Sequence, residues 1–197
     1  ACAPFRRLHL CHHNLESIQT KNYNSSNAKH DLLLEVCMAA KYEGQSIRDY
    51  YPIYQAKYDD YGSTICTVLA RSFADIGDIV RGRDIFRGND EEKKKRDELD
   101  ENLRKIFKKI YDNLNGAQTH YSDTTNFYQL REDWWDANRE TVWKAVTCGV
   151  KGNRYFRQTC AREQRTETYD KCHCINGDVP TNFDYVPQYL RWFEEWA

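Results

Sequence analysis

Proline and glycine are scarce in this chain, 4 and 9 in 197 residues. A sandwich or barrel of many short strands needs a turn at each connection, so that class is excluded and long helices are the default. Missing too are a signal peptide and an apolar run long enough to cross a bilayer. If the protein is secreted, the chain is expected to be a piece of something longer, without membrane insertion of its own. There is no Gly-rich phosphate loop, since Arg81-Gly82-Arg83 and Gly88 lack the spacing. No Gly-x-Ser-x-Gly elbow, internal repeat or low-complexity tract is present. Net charge is only −1, which argues against a nucleic-acid partner.

What the chain does have is aromatic residues (14%) and cysteines, at positions 2, 11, 37, 66, 148, 160, 172 and 174. Eight cysteines in one domain point to an oxidising compartment and structural disulfides. Asn24-Ser25-Ser26 is a glycosylation sequon, meaningful only where a host attaches glycans.

The stretch that organises the rest is LREDWWDANRETVWKAVTC, residues 130–148. On a 3.6-residue period Trp135, Val142 and Val146 share a stripe, with Trp134, Ala137, Thr141 and Ala145 beside it. Arg131, Glu132, Asp133, Asp136 and Glu140 form the charged remainder, read as a solvated face. Trp134, Trp135 and Trp143 are expected to be scaffold residues, because side chains of that size carry much of a core's burial. Gly149 stops the helix.

Upstream, residues 1–30 read as an irregular lobe held by disulfides. Asp31 caps a helix to about Tyr42 with Gly44 as its stop, and a second helical piece follows Pro52. Thr64 caps a strong helix to about Arg81, with Ile65, Val68, Leu69, Ile76, Ile79 and Val80 on one face and Arg71, Asp75 and Asp78 away from it. Asn89 or Asp90 begins the next, amphipathic from Leu99 and stopped by Gly116. Within 90–112 eight basic residues meet eight acidic ones, so Lys93, Lys94, Lys95 and Arg96 are weak binding candidates on a charge-balanced face. Downstream, 149–178 is a cysteine-dense connection, and a helix follows Pro187 with Tyr189, Trp192, Phe193 and Trp196 as an aromatic stripe.

The cysteines and histidines admit two chemistries. Cys11, His12 and His13 with Cys172-His173-Cys174 could suggest a metal, but adjacent histidines diverge and Cys-His-Cys lacks the bite of a zinc knuckle. No metal, cofactor or catalysis is expected. Antiparallel packing of the helices at 64–81 and 130–148 would join Cys66 to Cys148. Cys160–Cys172 would close a short loop, and Cys11–Cys37 is a third candidate pair, which leaves Cys174 and Cys2 for cysteines outside the chain.

The binding candidates are Arg139, Lys144, Lys151, Arg154, Arg157, Arg162 and Arg165, seven basic residues against two acidic ones over 139–165. With Tyr155 and Phe156 interleaved, they suit sulfate or carboxylate groups, since guanidinium forks bind these bidentately. Residues 166–197 carry six acidic side chains against two basic, so internal pairing is the competing reading.

The blocks ACAPFRRLHLC (1–11), LLLEVCMAAKYEG (32–44), TICTVLARSFADIGDIVRGRD (64–84), the tryptophan helix and VPTNFDYVPQYLRWFEEWA (179–197) resemble the alpha-class Duffy-binding-like domain of the Plasmodium falciparum erythrocyte membrane protein 1 family. The resemblance implies a mainly α, disulfide-linked scaffold in three subdomains: 1–30 in the first, 31–178 in the second, and 179–197 at the start of a truncated third. It is consistent with the Cys66–Cys148 pair. It implies an adhesion module and no enzyme, displayed outside the infected erythrocyte as part of a longer transmembrane protein. The expected partners are a host glycoprotein or sulfated glycan such as heparan sulfate, neighbouring domains of the same polypeptide, and antibodies. Cysteines 148, 160, 172 and 174 look like the four-cysteine form rather than the two-cysteine form. The alternative is a structural head that positions neighbouring domains and presents variable epitopes.

Overall fold

The computed structural model describes residues 2–18, 26–58, 64–160, 165–168 and 171–196, with the side chains of 54–58 outside that description. Its elements are α1 (Phe5–Leu8), α2 (His13–Glu16), α3 (Ala28–Tyr58), α4 (Ile65–Arg81), α5 (Asp90–Asp112), α6 (Tyr128–Val146) and α7 (Gln188–Trp196). Short 3₁₀ turns lie at Ala117–His120 and Phe183–Tyr185. Among the described residues β pairing is limited to two isolated bridges, Asn153 with Lys171 and Cys160 with Thr166. The fold is mainly α.

Local signals set several boundaries. Thr64 precedes α4 in an extended conformation, and Gly82 ends it in the left-handed region at φ 72°. At α5, Asn89 and Glu92 form a reciprocal capping box that satisfies two otherwise open backbone donors. Such a cap contributes about 1 kcal/mol.

One boundary differs. α3 runs 31 residues, through both Gly44 and Pro52. Gly44 is not a stop but a notch: a Cβ built there would lie 1.9 Å from the Val146 carbonyl oxygen of α6. A second notch, Gly77 in α4, receives the indole of Trp135. The largest element of the core therefore packs where two helices have given up a side chain. Trp135 and Trp143 are fully buried and Trp134 nearly so, with Phe73 of α4 tilted against Trp135 and edge-on to Trp143. Contacts rise along α4 as they fall along α6, Phe73 to Trp143 and Gly77 to Trp135, so the two helices are antiparallel.

Asp133, Asp136 and Glu140 lie exposed as expected, but other charges are inside. Asp75 and Asp78 of α4 are buried, and Arg131 of α6 is 0% exposed. Arg131 donates to the Val80 carbonyl at 2.7 Å and pairs with Asp100 at 3.0 Å, closing the last turn of α4. Around Asp75 and Asp78 lies a buried ion network. Arg191 of α7 reaches Asp75 at 2.7 Å and Asp78 at 2.5 Å, and Arg6 of α1 reaches Asp75 at 2.7 Å. Burial alone would raise the Asp75 carboxyl, but Arg6 and Arg191 outweigh it and hold it below the usual range. For Asp78 burial wins, and its carboxyl is pushed up.

The N-terminal lobe is two single-turn helices rather than an irregular coil. Leu10, Leu15 and Ile18 enter the core, and Arg6 and Arg7 anchor it by ion pairs, so disulfides do not hold it. Its cysteines, Cys2 and Cys11, are free thiols.

All three expected disulfides are corrected. Cys66 bonds to Cys172, not Cys148, and Cys160 bonds to Cys174, not Cys172. The antiparallel packing behind the first expectation is present, but α6 ends at Val146. Two residues on, Cys148 is turned about 200° from the buried stripe and faces solvent. Cys172 sits under the helix instead, its carbonyl accepting the Trp143 indole N–H at 3.1 Å. Cys11 and Cys37 stay reduced. The Cys11 amide bonds Glu43 at 2.9 Å, six residues along α3 from Cys37, about 9 Å farther up the helix and on another face.

Candidate functional site

The connection from 149 to 178 is a lobe held from within. Tyr155 is buried, its amide donating to the Thr168 hydroxyl at 2.7 Å and its own hydroxyl bonded to Thr181 at 3.1 Å. Thr159 donates to the Pro180 carbonyl, and Cys160–Cys174 closes the loop between. Cys172 takes a left-handed φ of 57° as it enters the core disulfide. With backbone and small polar groups turned inward, the long cationic side chains are left outside.

Lys151, Arg154, Arg157, Arg165 and Lys171 are all exposed on this lobe. The carboxylates described beside them are Glu167, engaged by Arg154 at 2.9 Å, Asp178, and Glu140 of α6, which lies against Gly177. Arg157 lies over the Phe156 ring, 5.0 Å to its centroid, and Phe156 is itself exposed. Ile175 at the tip of the following turn is 83% exposed. The surface combines exposed cations with open apolar faces, a composition that binds anionic groups on a partly apolar carrier.

The other sequence candidates do not join it. Arg139 points inward and forks onto Asp184, with both nitrogens at 2.8 Å, and donates to the Thr181 carbonyl at 2.8 Å. Burial works against its charge, but the Asp184 hydrogen bonds outweigh that, and its pKa is raised. Asp184 also accepts the Trp135 indole N–H at 2.9 Å, so Arg139 is part of the tryptophan helix's anchorage. The signal was present: Arg131, Trp135 and Arg139 recur at four-residue spacing on one face. Lys144 pairs with Glu140 one turn back at 2.5 Å. Arg162, like Asn24 of the sequon, lies outside the described residues.

On α5, Lys93, Lys94 and Lys95 are exposed, whereas Arg96 is largely buried and ion-paired with Asp84. A groove of about 610 Å³ runs between the 82–88 connection and α5, with Asp84, Phe86, Arg87, Lys93, Arg96 and Tyr128 in its lining. Sequence reading did not foresee it, because it depends on the 82–88 segment folding back over α5.

Among the described residues no cluster of histidine, cysteine, aspartate or glutamate could hold a metal ion, and no helix is long and apolar enough to cross a membrane.

The model of the Duffy binding domain matches residues 1–191. The crystal structure of the NTS-DBL1(alpha-1) domain of the Plasmodium falciparum membrane protein 1 (PfEMP1) from the varO strain is 46% identical, with a TM-score of 0.80 over 100% of this chain and 43% of that one. A DBLb domain of PfEMP1 bound to human ICAM-1 is 32% identical, with a TM-score of 0.69 over 97% of this chain and 38% of that one. The Duffy receptor beta form of Plasmodium knowlesi is 25% identical over 202 residues, covering 100% of this chain and 14% of that protein. The chain thus spans less than half the length of these relatives. With a match over nearly its whole length, the same helical fold and its own two disulfides, the chain belongs to the Duffy binding domain family.

Proposed function

We propose that this chain is an adhesion module that binds a host cell-surface glycoprotein or sulfated glycan through the 149–178 lobe, and that it is no enzyme. The observation that carries the reading is the set Lys151, Arg154, Arg157, Arg165 and Lys171, exposed together on one lobe, with Arg154 alone of them ion-paired among the described residues. Exposed surface cations steer anionic ligands and bind them in a salt-dependent way. Relatives support the receptor class, since one PfEMP1 DBLb domain is bound to human ICAM-1 and another is named as ICAM-1-binding. In this reading the module stands outside the infected erythrocyte, within a longer membrane-anchored chain that carries neighbouring domains and is seen by antibodies.

The test is retention on immobilised heparin across a salt series. Reversing Lys151, Arg154 and Arg157 together to glutamate is expected to bring elution to clearly lower salt. Unchanged elution removes these residues from the site. An isolated module that binds neither heparin nor red cells, while a longer parent does, instead favours a structural head that positions its neighbours.

A further inference from the structure

We propose that the groove between the 82–88 connection and α5 is a docking pocket for an acidic side chain of a protein partner. This does not rest on the glycan reading, which concerns a different lobe.

Two arginines meet at one carboxylate beside this groove. Arg7 and Arg96 flank the Phe86 ring from two sides, 4.6 and 5.2 Å from its centroid, and both clasp the single carboxylate of Asp84. Asp84 has little left to give, since it also accepts from Gln188 at 2.7 Å. Arg96, the one of the two that lines the groove, keeps a buried Nη1 with no hydrogen-bond partner. Unmet guanidinium donors out of water are costly, and a carboxylate is the group that satisfies them best. Burial and the neighbouring Arg7 charge push the Arg96 pKa down to about 9, so it remains cationic at neutral pH and gains from an added anion.

The lining selects among anions. Arg87 and Lys93 are exposed on the rim and have no carboxylate partner among the described residues. Asp97 and Asp100 also line the groove, and Asp100 is already held by Arg131 and Arg104 at 3.0 Å each. A polysulfated chain would set several negative charges against Asp84, Asp97 and Asp100 of the lining. One carboxylate beside Arg96, Lys93 and Arg87 avoids that repulsion. Tyr128, in the lining and about half exposed, offers an aromatic face for a neighbouring aliphatic side chain. A short acidic–aliphatic segment matches both properties, and a sulfated glycan matches neither.

The probe is a capped leucine–glutamate–leucine tripeptide titrated into the isotopically labelled chain and followed by NMR, with the glutamine analogue and a heparin tetrasaccharide as the other arms. The acidic peptide is expected to shift the amides of Arg87, Lys93 and Tyr128, and the glutamine analogue to bind about tenfold more weakly, the loss of one charge-assisted hydrogen bond. Arg87→Ser with Lys93→Ser, both at exposed positions, is expected to weaken binding with no change in thermal midpoint, and Asp97→Asn to strengthen it. Equal binding of the two peptides, or no shift at these amides, overturns the proposal. So does a heparin fragment that shifts them when the peptide does not, which would make the groove a glycan site.

Discussion

Replacing Gly44 with alanine tests the packing of α3 on α6 directly, because two physical effects oppose each other there. Gly44 lies in mid-helix and is not in the left-handed region, so alanine should favour the helix by about 1 kcal/mol. Against that, the new Cβ would stand 1.9 Å from the Val146 carbonyl oxygen and 2.8 Å from its carbon, where ordinary contact begins near 3.4 Å. Both atoms are backbone, so no side chain can swing aside, and the helices must part by about 1.5 Å. Overpacking of this kind costs about 1–3 kcal/mol, and a backbone clash belongs at the upper end. The expected net is a loss of about 1–2 kcal/mol, or a midpoint lower by about 3–6 °C in a chain of this length. Calorimetry on the oxidised protein measures it, with Gly44→Asn as the deciding companion. A helix-ending glycine tolerates asparagine better than alanine, whereas a crowded notch tolerates it worse. An alanine variant more stable than the parent, or an asparagine variant more stable than the alanine one, refutes the close approach.

Asp75→Asn is expected to cost about 3–5 kcal/mol, since it leaves Arg6 and Arg191 buried beside a neutral group. Asp78→Asn should cost less, because burial already opposes its charge. Asp75 has a depressed pKa, so its contribution is present above the unfolded carboxyl value near 3.9 and is lost as pH falls through its lower folded value. Urea midpoints of parent and Asp75→Asn should therefore converge below about pH 4. Peptide mapping under non-reducing conditions should recover Cys66 with Cys172 and Cys160 with Cys174; removing the first should cost up to about 4–5 kcal/mol and the second about 3, following the loops they close. Arg139→Gln should lower stability by about 2–3 kcal/mol, by stranding Asp184, and leave heparin elution where it was.

Helix boundaries were readable wherever a local residue decides them. Thr64, Gly82 and the Asn89–Glu92 box act within a turn of themselves, so α4 and the start of α5 fall where the sequence places them, whereas α5 ends at Asp112, short of the expected stop at Gly116. Gly44 and Pro52 carry the same local signals but lie inside α3, because the α6 backbone needs the space at Gly44 and tertiary packing overrides the stop. The tryptophans of α6 were legible as core because size and period agree. Asp75, Asp78, Arg131 and Arg139 were not, since a charge is normally a surface signal and their ion-pair partners, Arg81 beside Asp78 excepted, lie 31 to 116 residues away. Disulfide connectivity is not encoded in spacing, and a two-residue overrun of the α6 end sufficed to exchange Cys148 for Cys172. Of the basic candidates, those on the lobe stay exposed because its interior is filled by Tyr155 and threonines; the groove beside α5 had no linear signature at all.

The joint between α7 and α4 also bears on the order in which the chain is synthesised. Asp75 and Asp78 leave the ribosome more than a hundred residues ahead of Arg191, the cation they share. Until that residue arrives, Asp75 has only Arg6 and Asp78 only Arg81 as buried cations, and the network lacks the side chain that ties the two acids together. The joint at the centre of the chain is thus completed only when α7 emerges. Arg191 works as a late latch, and a chain halted before it would present α4 to whatever chaperones or proteases it meets.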